Sequence, residues 1–128
     1  MKTAPKFIQE WHPKEAHRTC SPSSLRTGED GRTYLTFRPQ GYANPIDLPV
    51  ITSGSRDKTG AWTWNGSLDK PTLRPSVKSW HPDGTISHLW LNEGMCEYLS
   101  DSTDGLAGLS LPLFLLENSV GVEEKELE

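Results

Sequence analysis

Residues able to do chemistry concentrate between positions 72 and 104. The run Ser100-Asp101-Ser102-Thr103-Asp104 packs two carboxylates and three hydroxyls into five positions. D-x-x-D spacing suits a hard cation or the capping of loose backbone N–H groups, but the glycine and terminal Glu of a calcium hand are absent. His88 lies upstream, and a histidine with a carboxylate to orient it is the usual general base. If the chain is an enzyme, His88, Asp101 and Asp104 are therefore the expected catalytic residues.

A second set alternates. Thr72, Arg74, Ser76 and Lys78 share one face of an extended segment, and hydroxyls interleaved with cations suit a phosphate or carboxylate. Trp62, Trp64, Trp80 and Trp90 lie close in sequence, with rings able to stack on a planar group. The expected ligand-binding surface is Trp64, Asn65, Thr72, Arg74, Ser76, His88, Trp90, Asp101 and Ser102.

Metal chemistry is disfavoured. His81, His88 and Cys96 offer imidazole and thiol, but there is no C-x-x-C or H-x-x-x-H pair, and a fourth ligand must come from elsewhere. The simpler reading is a half-buried His and a small apolar Cys. His12, His17 and Cys20 make a looser cluster still. No cofactor is expected, with zinc kept as a disfavoured alternative. Ser, His and Asp are plentiful, but no G-x-S-x-G elbow marks a nucleophile. Cys96 sits mid-strand among apolar neighbours, with nothing to lower its pKa.

The elements that must position these residues read as short strands. Tyr34–Phe37 alternates and is rich in aromatic and β-branched residues; Ile46–Thr52, interrupted by Pro49, reads as an edge. Ser53–Gly60 is a loop by composition, and Ala61–Trp64 is a strand closed by Asn65-Gly66. Pro71–Val77 is extended, because each proline disfavours helix at the residue before it. Lys78–His81, Thr85–Leu91 and Met95–Leu99, separated by Pro82-Asp83-Gly84 and Asn92-Glu93-Gly94, predict a three-stranded meander. Phe7–Ala16 and Leu113–Asn118 are the only helix candidates. The fold expected is mainly β: a small antiparallel sandwich or partly open barrel with at most one or two short helices. It divides into an irregular arm (1–32), a β-rich core (33–116) and an acidic tail (117–128).

Composition sets outer bounds. The 128 residues suit one domain, and ten Pro, eleven Gly and 34% apolar content suit a small core with many turns. The net charge of −4 resides in Glu117–Glu128, and the remainder balances to zero. A balanced body is not a clamp for duplex nucleic acid. No apolar leader and no run long enough to span a bilayer are visible, so a soluble protein of a reducing cytoplasm is expected. Edge strands leave room for a homodimer.

The stretch Trp62–Pro112 resembles an uncharacterised family of small phage and prophage proteins commonly labelled "ammonia monooxygenase". The likeness rests on W-T-W-N-G-S-L-D-K-P-T-L-R-P-S at 62–76, on His88, on Asn92-Glu93-Gly94, and on Leu99–Gly108. The resemblance implies a metal-type site whose Cys and His positions are here Pro39-Gln40-Gly41-Tyr42, Ser87-His88 and Asp101-Ser102-Thr103-Asp104, so that the site is emptied. Three readings follow. The first is a phage-type counter-defence protein in the host cytoplasm, binding and neutralising a host protein or a nucleotide-like signalling molecule without turnover. The second is a hydrolase-like enzyme using His88 with Asp101 or Asp104, with or without metal. The third is a virion or assembly accessory protein.

Overall fold

The computed structural model describes residues 6–11, 21–116 and 122–127. The elements are β1 (Lys6–Trp11), β2 (Ser23–Thr27), β3 (Thr33–Phe37), β4 (Ile46–Pro49), β5 (Thr63–Trp64), β6 (Leu73–Arg74), β7 (Val77–Trp80), β8 (Ile86–Asn92), β9 (Met95–Tyr98), β10 (Ser110–Pro112) and β11 (Val122–Leu127). They form a four-stranded sheet in the order β10-β9-β8-β7, a three-stranded sheet β2-β3-β4, and the pairs β5-β6 and β1-β11, all antiparallel.

The protein is mainly β, as expected, and no helix occurs among the described residues. Two strands, β1 and β2, fall inside the segment expected to be an irregular arm, and β11 falls inside the acidic tail. Of the helix candidate Phe7–Ala16, the part up to Trp11 lies in strand β1, and residues 12–16 are outside the described residues. The run Leu113–Leu116 is held by long-range backbone bonds instead of helical ones: Leu113 N–H to Gly94 C=O, Phe114 N–H to Arg38 C=O and Leu116 N–H to Ser21 C=O. Burial of Leu113, Phe114 and Leu116 across the sheets outweighs local helix formation, which is marginal in so short a segment.

The meander β7-β8-β9 forms as its turns dictate. Gly84 takes φ 88°, and Asp83 Oδ1 accepts from Thr85 N–H at 2.9 Å. The β8–β9 hairpin turns on Glu93 and Gly94, both at positive φ, which matches the strand twist. Glu93 is held there because its N–H donates to the Thr72 hydroxyl at 2.8 Å.

Strand β8 has a period of two. Ser87, Leu89 and Leu91 are buried, while Ile86, His88, Trp90 and Asn92 are half-buried on the other face. The buried face joins Leu35, Phe37, Val50, Leu73, Val77, Cys96 and Tyr98 in one core. Each fully buried Leu or Phe contributes about 1.5–3 kcal/mol relative to exposure. The parallel bridge Val50–Trp62 ties the β2-β3-β4 sheet to β5-β6; Trp62 N–H donates to Pro49 C=O and Ile51 N–H to Trp62 C=O, each at 2.9 Å. Edge strand β4 tolerates Pro49 because its outer side needs no ladder donor.

Candidate functional site

Ser76, His88 and Asp101 form a continuous hydrogen-bonded chain on the half-exposed face of the four-stranded sheet. Ser76 Oγ lies 2.9 Å from His88 Nε2, and His88 Nδ1 lies 2.8 and 2.9 Å from Asp101 Oδ1 and Oδ2. A carboxylate only accepts, so Nδ1 carries a proton, and in its neutral form the ring presents Nε2 as acceptor to the Ser76 hydroxyl. That is the order of groups by which a hydroxyl is made nucleophilic: base against hydroxyl, carboxylate behind base.

Three different elements deliver these side chains. Ser76 stands between β6 and β7, just after the cis peptide Arg74–Pro75. Its carbonyl accepts from Trp62 Nε1 at 3.3 Å. His88 lies mid-way along β8, opposite Lys78 in register. Asp101 occupies the turn that follows β9, closed by Ser102 N–H donating to Leu99 C=O at 3.0 Å. The hydrogen bond from His88 is the main cause holding the Asp101 carboxyl below its ordinary value, with the charges of His88 and Lys78 adding to it. Lys78 Nζ lies 3.8 Å from Asp101 Oδ2. With 52% of its side chain exposed, Asp101 gains little from that cation.

Several of the residues expected to bind a ligand make hydrogen bonds within the fold. Asn65 Oδ1 accepts from Ser67 and Thr72 N–H, and its amide donates to Lys70 C=O. Trp64 Nε1 donates to Ser67 C=O, and Thr72 holds the Glu93 turn. Arg74 donates to the carbonyls of Leu73 and Leu91 and to Asn92 Oδ1, with its guanidinium 5.2 Å from the Trp90 ring centroid. Ser102 bonds both backbone groups of His88.

Asp104 does not reach His88. It accepts from the Ser87 hydroxyl through Oδ2 and from Leu106 N–H through Oδ1 at 3.0 Å, an Asx turn. On that buried side His81 Nε2 meets Ser87 Oγ at 2.8 Å, and the Tyr42 hydroxyl donates to Ser79 Oγ at 2.7 Å. His81, His88 and Cys96 do not converge: His88 faces outward, whereas Cys96 is fully buried beside Leu91. Among the described residues no group of three or more His, Cys, Asp and Glu is placed to hold a metal. Burial pushes the Cys96 thiol up to about 12, so it is no nucleophile. His12, His17 and Cys20 lie outside the described residues.

Ser76 was expected among the ligand-binding residues and not as the hydroxyl facing His88, because no glycine-flanked elbow surrounds it. Ser76 falls in the extended run Pro71–Val77, outside the three strands expected to pair, so the expected register did not bring it to His88.

The family model described as BubE, bacterial ubiquitination-like system serine protease, matches residues 9–99. No curated protein and no solved structure matches the chain. The family match overturns the resemblance to the phage family labelled "ammonia monooxygenase", and with it the phage-type, anti-defence binding protein without turnover; the hydrolase-like and virion-accessory readings are likewise not supported in the form expected. The physical reason lies in what carried the likeness. Asn65-Gly66 closes a loop, and Gly108, at the end of Leu106-Ala107-Gly108, turns at φ 82°; such positions record backbone geometry and say little about chemistry. Ser102 and Asp104, read as the remains of an emptied metal site, are hydrogen-bonded parts of this fold.

Proposed function

The chain belongs to the BubE family, and on that premise we propose that it is a serine protease of a bacterial ubiquitination-like system, with Ser76 as nucleophile, His88 as general base and acid, and Asp101 as the group that orients His88. The observation that carries the reading is the unbroken chain Ser76 Oγ–His88 Nε2, His88 Nδ1–Asp101.

Ser76 Oγ attacks the scissile carbonyl carbon as its proton passes to His88 Nε2. Asp101 stabilises the imidazolium that forms and keeps the ring in the productive tautomer. The tetrahedral intermediate collapses when His88 returns the proton to the departing amine, leaving an acyl ester on Ser76. Water, deprotonated by His88, then attacks the ester, and the proton passes back to Ser76 Oγ as the acid product leaves. Base, nucleophile and orienting group are all side chains, so the cycle calls for no cofactor. An unpaired, buried Cys96 suits a reducing compartment, the cytoplasm.

A fluorophosphonate probe tests this directly. Intact mass and peptide mapping are expected to show one adduct, on Ser76, lost in both Ser76→Ala and His88→Ala. An adduct on another serine, or undiminished labelling of His88→Ala, overturns the assignment.

A further inference from the structure

The hydrogen-bond ladder between β8 and β9 opens at the base of the triad, and a side chain closes it. In β8 the even-numbered residues turn their backbone groups toward β9, since the odd-numbered parity faces β7, where Thr85 C=O accepts from His81 N–H at 2.9 Å. Leu99 N–H still reaches His88 C=O at 2.7 Å. Leu99 C=O, however, is taken by Ser102 N–H in the turn that carries Asp101. His88 N–H is thereby deprived of its strand partner. The Ser102 hydroxyl replaces that partner: Oγ accepts from His88 N–H at 2.8 Å and donates to His88 C=O at 2.9 Å. Ser102 is only 8% exposed, so water does not readily substitute. One residue further along, Thr103 plays the same part for Ile86, accepting from its N–H through Oγ1 at 2.8 Å.

We propose that Ser102 is a positioning residue of the triad: its hydroxyl fastens the His88 backbone to the turn bearing Asp101, and so fixes the imidazole between Asp101 and Ser76. This rests on the serine protease reading above. The bond pair sits on the backbone of the catalytic base itself, and the neighbouring residue of the same turn supplies the carboxylate. Losing it frees the ring to shift, and displacement of a reacting group by about 1 Å costs on the order of 100-fold in rate.

The test compares wild type, Ser102→Ala and Thr103→Ala, the last removing an equivalent ladder bond at Ile86 and none at His88. Each is brought to equal folded fraction by circular dichroism and treated with a fluorophosphonate over a range of concentrations. Expected for Ser102→Ala is a fall of about 10- to 100-fold in the limiting labelling rate with the half-saturating concentration unchanged, plus loss of the far-downfield proton resonance of the His88–Asp101 bond. Thr103→Ala is expected to stay within threefold of wild type and to keep the resonance. Should Ser102→Ala fail to fold, Ser102→Cys, which keeps the shape and weakens both bonds, reads the same change at smaller amplitude. Labelling of a folded Ser102 variant at the wild-type rate, with the resonance retained, overturns the proposal while leaving the protease reading intact. Absence of any adduct on Ser76 in the wild type overturns the reading itself.

Discussion

Replacing Asp101 by Asn probes the triad with the least change in shape. The carboxylate accepts from His88 Nδ1–H through both oxygens, at 2.8 and 2.9 Å, and so dictates which ring nitrogen is protonated. In Asp101→Asn the amide NH₂ group donates to Nδ1, the ring proton moves to Nε2, and Nε2 turns from acceptor to donor toward Ser76 Oγ. A base in that tautomer cannot take the hydroxyl proton. Where the triad carboxylate is buried, this exchange lowers turnover by roughly 10⁴. Asp101 is 52% exposed, so water already screens part of its influence on the imidazolium. The expected loss is therefore roughly 10²–10⁴ in kcat, with little change in KM. The assay is the fluorophosphonate labelling rate at Ser76, followed by intact mass, alongside Asp104→Asn. That control breaks the bond from Ser87 and the Asx turn but leaves Nδ1 untouched, and is expected within a few-fold of wild type at equal folded fraction. Labelling of Asp101→Asn within threefold of wild type, or a larger loss in Asp104→Asn, would refute the tautomer argument.

Further outcomes follow from burial and charge. Leu89→Ala, at a site with no exposed surface between β7 and β9, is expected to cost about 2–5 kcal/mol, read as a lower urea midpoint at unchanged slope. With its thiol pushed up to about 12, Cys96 in a Cys20→Ser background is expected to take up no iodoacetamide at pH 8 until the protein is unfolded; rapid alkylation of the native protein would contradict its burial. Hydrogen bonds from Tyr34 to Asp30, Thr85 to Asp83 and His88 to Asp101 hold these carboxyls below their ordinary 3.8. The folded state then binds fewer protons than the unfolded one, so their contribution is complete above that value and is lost as pH falls through the lowered values. Tm is expected to stay level above about pH 5 and to drop on further acidification, and less steeply in Asp30→Asn. Chelation by EDTA is expected to leave fluorophosphonate labelling unchanged, since the nucleophile and its base are side chains.

Much of the scaffold was legible before folding. The turn residues Pro82-Asp83-Gly84 and Asn92-Glu93-Gly94 punctuate the meander, and the alternation of Leu89 and Leu91 with His88 and Trp90 assigns one face of β8 to the core. Those signals are local: a turn demands positive φ, and a strand has a period of two. The pairing of His88 with Asp101 was also among the expectations. Missing were the hydroxyl that meets Nε2 and the separation of Asp101 from Asp104. Both depend on register. Pairing Val77 with Leu89 brings Ser76 within hydrogen-bonding distance of His88. The turn after β9 then sends Asp101 to the outward face and Asp104 to Ser87 on the buried one. Sequence by itself determined the strands, their turns and the residue types able to do the chemistry. Only the tertiary structure decided which hydroxyl and which carboxylate meet the imidazole, because that choice is made by cross-strand distances of a few ångströms between residues 12 and 13 positions apart.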